Sequence, residues 1–192
     1  MLLFLFACGK TEEKVLDLNE VIPQAEKDYD EVEENETRID DSFERLFVAS
    51  YPDVVKVDEI QKRLFPDRFG TDTSYHFELI TANDSLTYHK WVYSDSLKTV
   101  NAFYNWIDCF GSNCRSFFVG AEQNMHPESM LLAVNDTCMI YVFGATVDHD
   151  QWLKFFEENG YKRDWYYFVE QRISGRAKWY HFKNNERIKY LK

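Results

Sequence analysis

What most restricts the fold of this chain is the shortness of the gaps between apolar runs beyond Thr73. Tyr75, Phe77 and Leu79 alternate with His76 and Glu78, and a second run from Leu86 to Tyr93 follows the turn-forming Asn83-Asp84-Ser85, the pattern of a hairpin. Further strands are expected at Arg115 to Ala121, Met130 to Val134, Cys138 to Phe143, Trp165 to Arg172, Arg176 to Lys183 and Glu186 to Leu191. Tight turns at Asn135-Asp136, Ser174-Gly175 and Asn184-Asn185 join several of them. Parallel neighbours need a crossover of about a dozen residues or more, and these links are too short. The sheet is therefore expected to be antiparallel.

Helical periodicity punctuates the strands. Thr37-x-x-Asp40 resembles a capping box ahead of Ile39, Phe43, Leu46 and Phe47, and Pro52 stops that helix. Asp58 and Gln61 suggest a second helix burying Ile60, Leu64 and Phe65 before Pro66. Leu97, Val100, Phe103, Tyr104 and Ile107 form one stripe of a third, over Ser96 to Phe110. Asp148-x-x-Gln151 opens a fourth, through Trp152, Phe155 and Phe156, that closes at Gly160. The expected class is α+β, in the order α-α-β-β-α-β-β-β-α-β-β-β, with the helices packed on one side of the sheet. A helix followed by three strands occurs twice in that order, at 96–143 and 148–191, as in a duplicated unit. In its helical start and curved-sheet composition the order is loosely similar to cystatin-like and NTF2-like folds.

The chain has 192 residues, 45% hydrophobic and 17% aromatic, enough for one domain with a single core. Its charge is unevenly placed. Gly9 to Asp41 carries 13 Asp and Glu against four Lys and Arg, whereas 42–192 is nearly balanced, so the formal −11 belongs mostly to the leader. Residues 8–36 read as a solvated spacer and 37–192 as the globular domain. Residues 1–7 contain the continuous apolar run Leu2 to Ala7, far shorter than the roughly 20 residues that cross a bilayer.

That run reads as the apolar part of a secretory signal, ending at the small residue Ala7. Leu5-Phe6-Ala7-Cys8 resembles the lipobox of bacterial lipoproteins. The resemblance implies cleavage before Cys8, lipid attachment to Cys8, and a membrane-anchored protein of the cell envelope. Gly9-Lys10-Thr11-Glu12-Glu13-Lys14 looks like the Lys-plus-acid signal that sends some Bacteroidota lipoproteins to the outer surface, so an outer-membrane location is expected. Asp84-Ser85-Leu86 and Asp95-Ser96-Leu97 resemble O-glycosylation sites of such exported proteins, at Ser85 and Ser96; Asp95 or Ser96 would equally cap the following helix.

Three cysteines remain. Cys109 and Cys114 bracket Phe110-Gly111-Ser112-Asn113, and in an oxidising envelope that pair favours a disulfide, pinning helix to strand, over a metal site. Cys138 lies in an apolar strand and reads as a small buried residue. No cofactor or metal is expected. Nucleophile-elbow, Walker and dinucleotide-binding motifs do not occur. His76 and His89 sit on paired strands and can approach one another across the hairpin, either as an acid–base or metal site or as part of a solvated face.

Between Lys162 and Lys192, nine Lys and Arg are interleaved with aromatics against three Asp and Glu. Such a surface can bind glycan, lipid headgroup or protein, with Tyr166, Phe168, Lys178, Tyr180, Arg187 and Lys189 as the candidate binding face. The plainer alternative is an amphipathic meander with Trp165, Tyr167, Val169, Trp179 and Ile188 inward. Nucleic acid is not an expected partner for an exported protein. Three functions fit these residues: a non-enzymatic binding or interaction module for an unknown protein, glycan or small-molecule ligand, an envelope hydrolase using carboxylates or the histidine pair, and an immunity or inhibitor lipoprotein.

Overall fold

The computed structural model describes residues 47, 54–61, 64–110, 114–161 and 164–190. All lie in the second of two compact units, Arg38–Lys192. The signal-like segment, Cys8, the acidic spacer and, apart from the buried helical residue Phe47, the first expected helix lie outside the described residues.

The fold is α+β. Its elements are β1 (Val54–Glu59), a 3-10 turn (Phe65–Phe69), β2 (Thr73–Thr81), β3 (Ser85–Val92), α1 (Ser96–Asp108), β4 (Ser129–Val134), β5 (Cys138–Gly144), α2 (His149–Glu158), β6 (Tyr167–Gln171), β7 (Lys178–Lys183) and β8 (Glu186–Lys189). The eight strands form one antiparallel sheet in the order β1-β2-β3-β5-β4-β6-β7-β8. Every residue of β4 is buried, and all but Phe143 of β5, which is why these strands read as continuous apolar runs rather than alternating ones: they are covered on both faces. At the other extreme every residue of β8 is exposed, and its Glu186, Arg187 and Lys189 keep that edge charged.

The helices lie on opposite faces, not on one side. Trp152, Phe155 and Phe156 of α2 pack with Phe77, Leu79, Tyr88, Ile140 and Phe168 on one face. Ala102, Phe103, Trp106 and Ile107 of α1 pack with Trp91, Leu132, Met139 and Trp179 on the other. A strand surface buried on both sides needs cover on both sides, and the central strands are apolar at successive positions.

Local chemistry accounts for most boundaries. Asp95 caps α1 by accepting from Lys98 N at 2.9 Å, and Asp148 caps α2 by accepting from Asp150 N and Gln151 N at 3.1 and 3.0 Å. Asn135 Oδ1 accepts from Cys138 N at 2.8 Å and closes the β4–β5 turn, while Asn184 and Asn185, at φ of 53° and 65°, make the β7–β8 hairpin. Gly144 has no room for a side chain, since a Cβ there would lie 2.6 Å from the Ser85 carbonyl oxygen of β3.

Four expectations are corrected. Asp58 does not open a helix: it lies in β1, where Val54 and Val57 are buried and paired with β2, because β-branched residues at the sheet edge bury better as a strand. The helical start behind the cystatin-like and NTF2-like likeness is correspondingly shortened. Arg115 to Ala121 is not a strand. Both flanks of β4 are taken by β5 and β6, so this segment makes only the Phe110–Arg115 bridge and buries Phe117 and Ala121 instead. The helix-plus-three-strands unit therefore does not repeat, because α1 is followed by two strands. Finally, the buried stripe of α1 is rotated: Thr99, Ala102, Phe103, Trp106 and Ile107 face inward, while Leu97 is 69% exposed. Thr99 explains the rotation, its hydroxyl bridging Asp95 O and Asp136 O at 3.1 and 2.9 Å and tying α1 to the β4–β5 turn.

Candidate functional site

The register of β2 on β3 sets His76 directly opposite His89. Phe77, Leu79, Leu86 and Tyr88 point to the α2 face, so strand alternation sends both histidines to the α1 face, where they are 7% and 6% exposed. They are buried rather than part of a solvated face. Their Nδ1 atoms are 3.1 Å apart, and Trp91 sits beside both rings with centroids 5.6 Å away.

The 3-10 turn supplies a third member. Pro66 at its start and left-handed Gly70 at its end fix the turn, and Leu64 N donates to Asp67 Oδ2. Asp67, 7% exposed, thereby presents Oδ1 to His76 Nε2 at 3.6 Å, an electrostatic contact longer than a hydrogen bond. Burial lowers the pKa of His76, opposed by the negative charges of Asp67 and Glu59.

At 3.1 Å the two Nδ1 atoms are within hydrogen-bond distance, one ring donating and the other accepting, so that Asp67, His76 and His89 form a buried row of polar side chains.

His89 lines a cavity of about 420 Å³ on the α1 face. Trp91 and Tyr141 from the sheet, Trp106 and Phe110 from the end of α1, and Phe143 form aromatic walls, with Leu64, Phe65 and Pro66 of the 3-10 turn alongside. His126 is the second polar group. Gln171 places it: its Oε1 accepts from Met125 N and His126 N at 2.7 and 3.3 Å, and its Nε2 donates to His126 O and Glu128 O. Glu128 N donates to His126 Nδ1 at 3.2 Å, which leaves Nε2 as the protonated nitrogen of the neutral ring. Burial lowers the pKa of His126, partly offset by Glu128, and burial raises that of the Tyr141 phenol. The cavity therefore joins two imidazoles, those of His89 and His126, to a wall of rings, a composition suited to orienting a small, largely apolar molecule.

Cys109, which also lines the cavity, is disulfide-bonded to Cys114. The bridge closes the loop after α1 rather than pinning that helix to a strand. Cys138 is buried, and burial pushes its thiol up to about 12. Among the described residues no three His, Cys, Asp or Glu side chains are grouped as metal ligands, and no helix is long and apolar enough to cross a membrane.

The aromatic-basic candidates are only partly united. Lys178, Tyr180 and Arg187 line an open polar cleft of about 650 Å³ beside the start of α2, but Phe168 is fully buried in the core and cannot serve as a contact. Arg187 is ion-paired with Glu170 and stacks over Tyr180 at 4.6 Å, and Lys189 is paired with Glu122 at 2.6 Å. Tyr166 is exposed and donates to Asp136. Tyr167, Val169 and Trp179 do face a core, whereas Ile188 is exposed and Trp165 packs on the opposite face from them. Of the residues read as glycosylation sites, Ser96 is exposed at the first turn of α1 and Ser85 is half-buried at the start of β3. No protein-family model, curated protein or solved structure matches this chain.

Proposed function

We propose that this chain is a lipid-anchored protein of the cell envelope, tethered through Cys8, whose domain binds a small, aromatic or otherwise planar apolar molecule in the cavity of the α1 face. The observation carrying the binding reading is the combination of five aromatic walls with two buried or half-buried histidines, His89 and His126. The lipobox-like Leu5-Phe6-Ala7-Cys8 supports the anchor, and the Lys-plus-acid stretch Gly9 to Lys14 supports an outer-membrane address.

N-phenyl-1-naphthylamine, a neutral aromatic dye that brightens in apolar surroundings, tests the cavity. Saturable, single-site brightening is expected, weakened tenfold or more in Trp106→Ala; unsaturable brightening indifferent to that change refutes the reading. Incorporation of an alkyne fatty acid into the wild type but not into Cys8→Ala tests the anchor, and equal incorporation refutes it.

A hydrolase is the second reading, favoured by the buried His76–His89 pair beside a cavity. Among the described residues the cavity walls hold no serine, threonine or free cysteine as nucleophile, so such an enzyme would use His89 to activate water. Turnover of an aryl ester that disappears in His89→Gln while dye binding persists would establish it.

A further inference from the structure

Rings seal the α2 face beneath the helix, but the outer strands leave that face open. Phe168 and Phe182 point to it, so alternation along β6 and β7 sends Glu170, Lys178 and Tyr180 the same way, and the pairing of Arg187 with Phe182 adds a side chain from β8. These groups form the floor of the open cleft of about 650 Å³. The start of α2 contributes Asp148 and Asp150, and His149 between them is pinned by its Nε2, which donates to Met130 O at 2.9 Å. The β6–β7 loop completes the lining with Arg172 and Arg176.

That loop is tied down through its backbone. Gly175 N donates to Arg172 O at 2.8 Å, Ala177 N to Gln123 O at 2.8 Å, and Asn124 Nδ2 to Gly175 O at 2.9 Å. Two guanidiniums are thus held at the cleft by bonds that leave their side chains uncommitted. Among the described residues, neither they nor the Lys178 ammonium takes a hydrogen bond or ion pair. Arg176 and Lys178 act through space on Glu122, but that carboxylate is held by Lys189 at 2.6 Å. Arg187 differs, being paired with Glu170 and layered over the Tyr180 ring at 4.6 Å.

We propose that this cleft binds acidic oligosaccharides, chains of sugar units that each carry a single carboxylate. Guanidinium is the cation best suited to a planar carboxylate, which it grips with two parallel hydrogen bonds. Arg172 and Arg176 supply that grip. Four cations, Arg172, Arg176, Lys178 and Arg187, stand among three carboxylates, Asp148, Asp150 and Glu170. Such a near balance disfavours a densely charged anion and offers acceptors to the hydroxyls of a sparsely charged one. Asp148 is engaged as the cap of α2 and Glu170 by Arg187, so Asp150 is the acceptor for a sugar hydroxyl. The aromatic cavity lies on the other face of the sheet, and the proposal does not depend on it.

Trigalacturonate, titrated into the full chain by calorimetry beside neutral galactotriose and the denser anion tripolyphosphate, tests the proposal. Trigalacturonate should bind at a single site, with each of the other two tenfold or more weaker. Absence of trigalacturonate binding overturns the proposal. So does tripolyphosphate binding as tightly, which would reduce the cleft to a patch of positive charge, or galactotriose binding as tightly, which would take the arginines out of recognition. Arg172→Gln and Arg176→Gln should each weaken trigalacturonate tenfold or more, the worth of a charge-assisted hydrogen bond, while Lys183→Gln, outside the cleft, leaves it as in the wild type. Equal effects of all three substitutions overturn the proposal. Asp150→Ala separates recognition from charge because it makes the cleft more positive: a hydroxyl contact weakens binding when lost, whereas simple attraction would strengthen it. Weaker binding is expected, and tighter binding overturns the proposal. All four positions are exposed, so the variants keep the fold, which circular dichroism checks.

Discussion

The two faces of one sheet bury similar numbers of rings to different ends. On the α2 face, Phe47, Tyr88, Trp152 and Phe155 make a continuous ring cluster, with Phe47 5.0 Å from both Tyr88 and Phe155. The polar group reaching into it from the sheet is Lys90, whose ammonium lies over Tyr75 and Tyr161 at 5.4 and 5.1 Å and whose pKa is lowered by burial. The α1 face instead encloses Asp67, His76, His89 and Gln171, all under a tenth exposed, and leaves a cavity among its rings. Buried polar groups detract from stability unless they are fully paired. A fold that sets Asp67, His76, His89 and Gln171 on one face and packs the other chiefly with rings would, on the proposed reading, divide stabilising and ligand-binding work between its faces.

The sharpest way to test that division is to damage the sealed face. Trp152→Ala should cost about 4 kcal/mol of stability in chemical denaturation, the range for truncating a large buried ring, while surviving folded protein binds N-phenyl-1-naphthylamine as before. An equal loss of dye affinity would break the comparison. Gln171→Ala is the counterpart on the α1 face. It strands Met125 N and the backbone of His126 and Glu128, so roughly 2 to 3 kcal/mol should be lost, with dye affinity falling because His126 is no longer held.

How much of this was legible in the sequence follows from the kind of interaction that fixes each part. Turn and cap chemistry is local, so Asp148, the Asn135-Asp136 turn and the Asn184-Asn185 hairpin could be read directly, as could the antiparallel sheet and the Cys109–Cys114 pairing. The approach of His76 to His89 was legible too, because a hairpin register is short-range. What could not be read was depth. Alternation says that His76 and Phe77 face opposite ways, but only the 3-10 turn and α1, packed from afar, decide that both ways are inward. His126 and Gln171 carried no signal, since their pairing spans a separation of 45 residues. Asp67 had one, the Phe65-Pro66-Asp67 stretch, read as the stop of a helix that β1 replaces.

The third test concerns the cavity wall. Replacing both Cys109 and Cys114 by alanine should lower stability by about 2 kcal/mol through the entropy of so short a loop, and should shift dye affinity because Cys109 lines the cavity. The smallest effect is expected from pH. His76 and His126 both have folded pKa values below the 6.5 of an unfolded histidine, so the unfolded chain binds more protons as pH falls. Their contribution to stability is complete above that value and is lost as pH drops below it, until the folded pKa values are passed. Denaturation midpoints should decline over that window, less steeply in His76→Gln. An unchanged slope would mean that the α1 face carries no titration of its own.

The strand order has a consequence for how the protein comes into being. Five of the seven strand pairings join consecutive strands, but β3–β5 and β4–β6, which knit the middle of the sheet, each wait for a helix-bearing excursion to return. Hairpins close early at small entropic cost, whereas these two joints must first gather distant chain. A newly made molecule would therefore exist for a time as separate hairpins whose ring-rich surfaces are uncovered. During that interval, before the middle strands meet, the same aromatics that later seal one face and line a cavity on the other are open to aggregation and to chaperones.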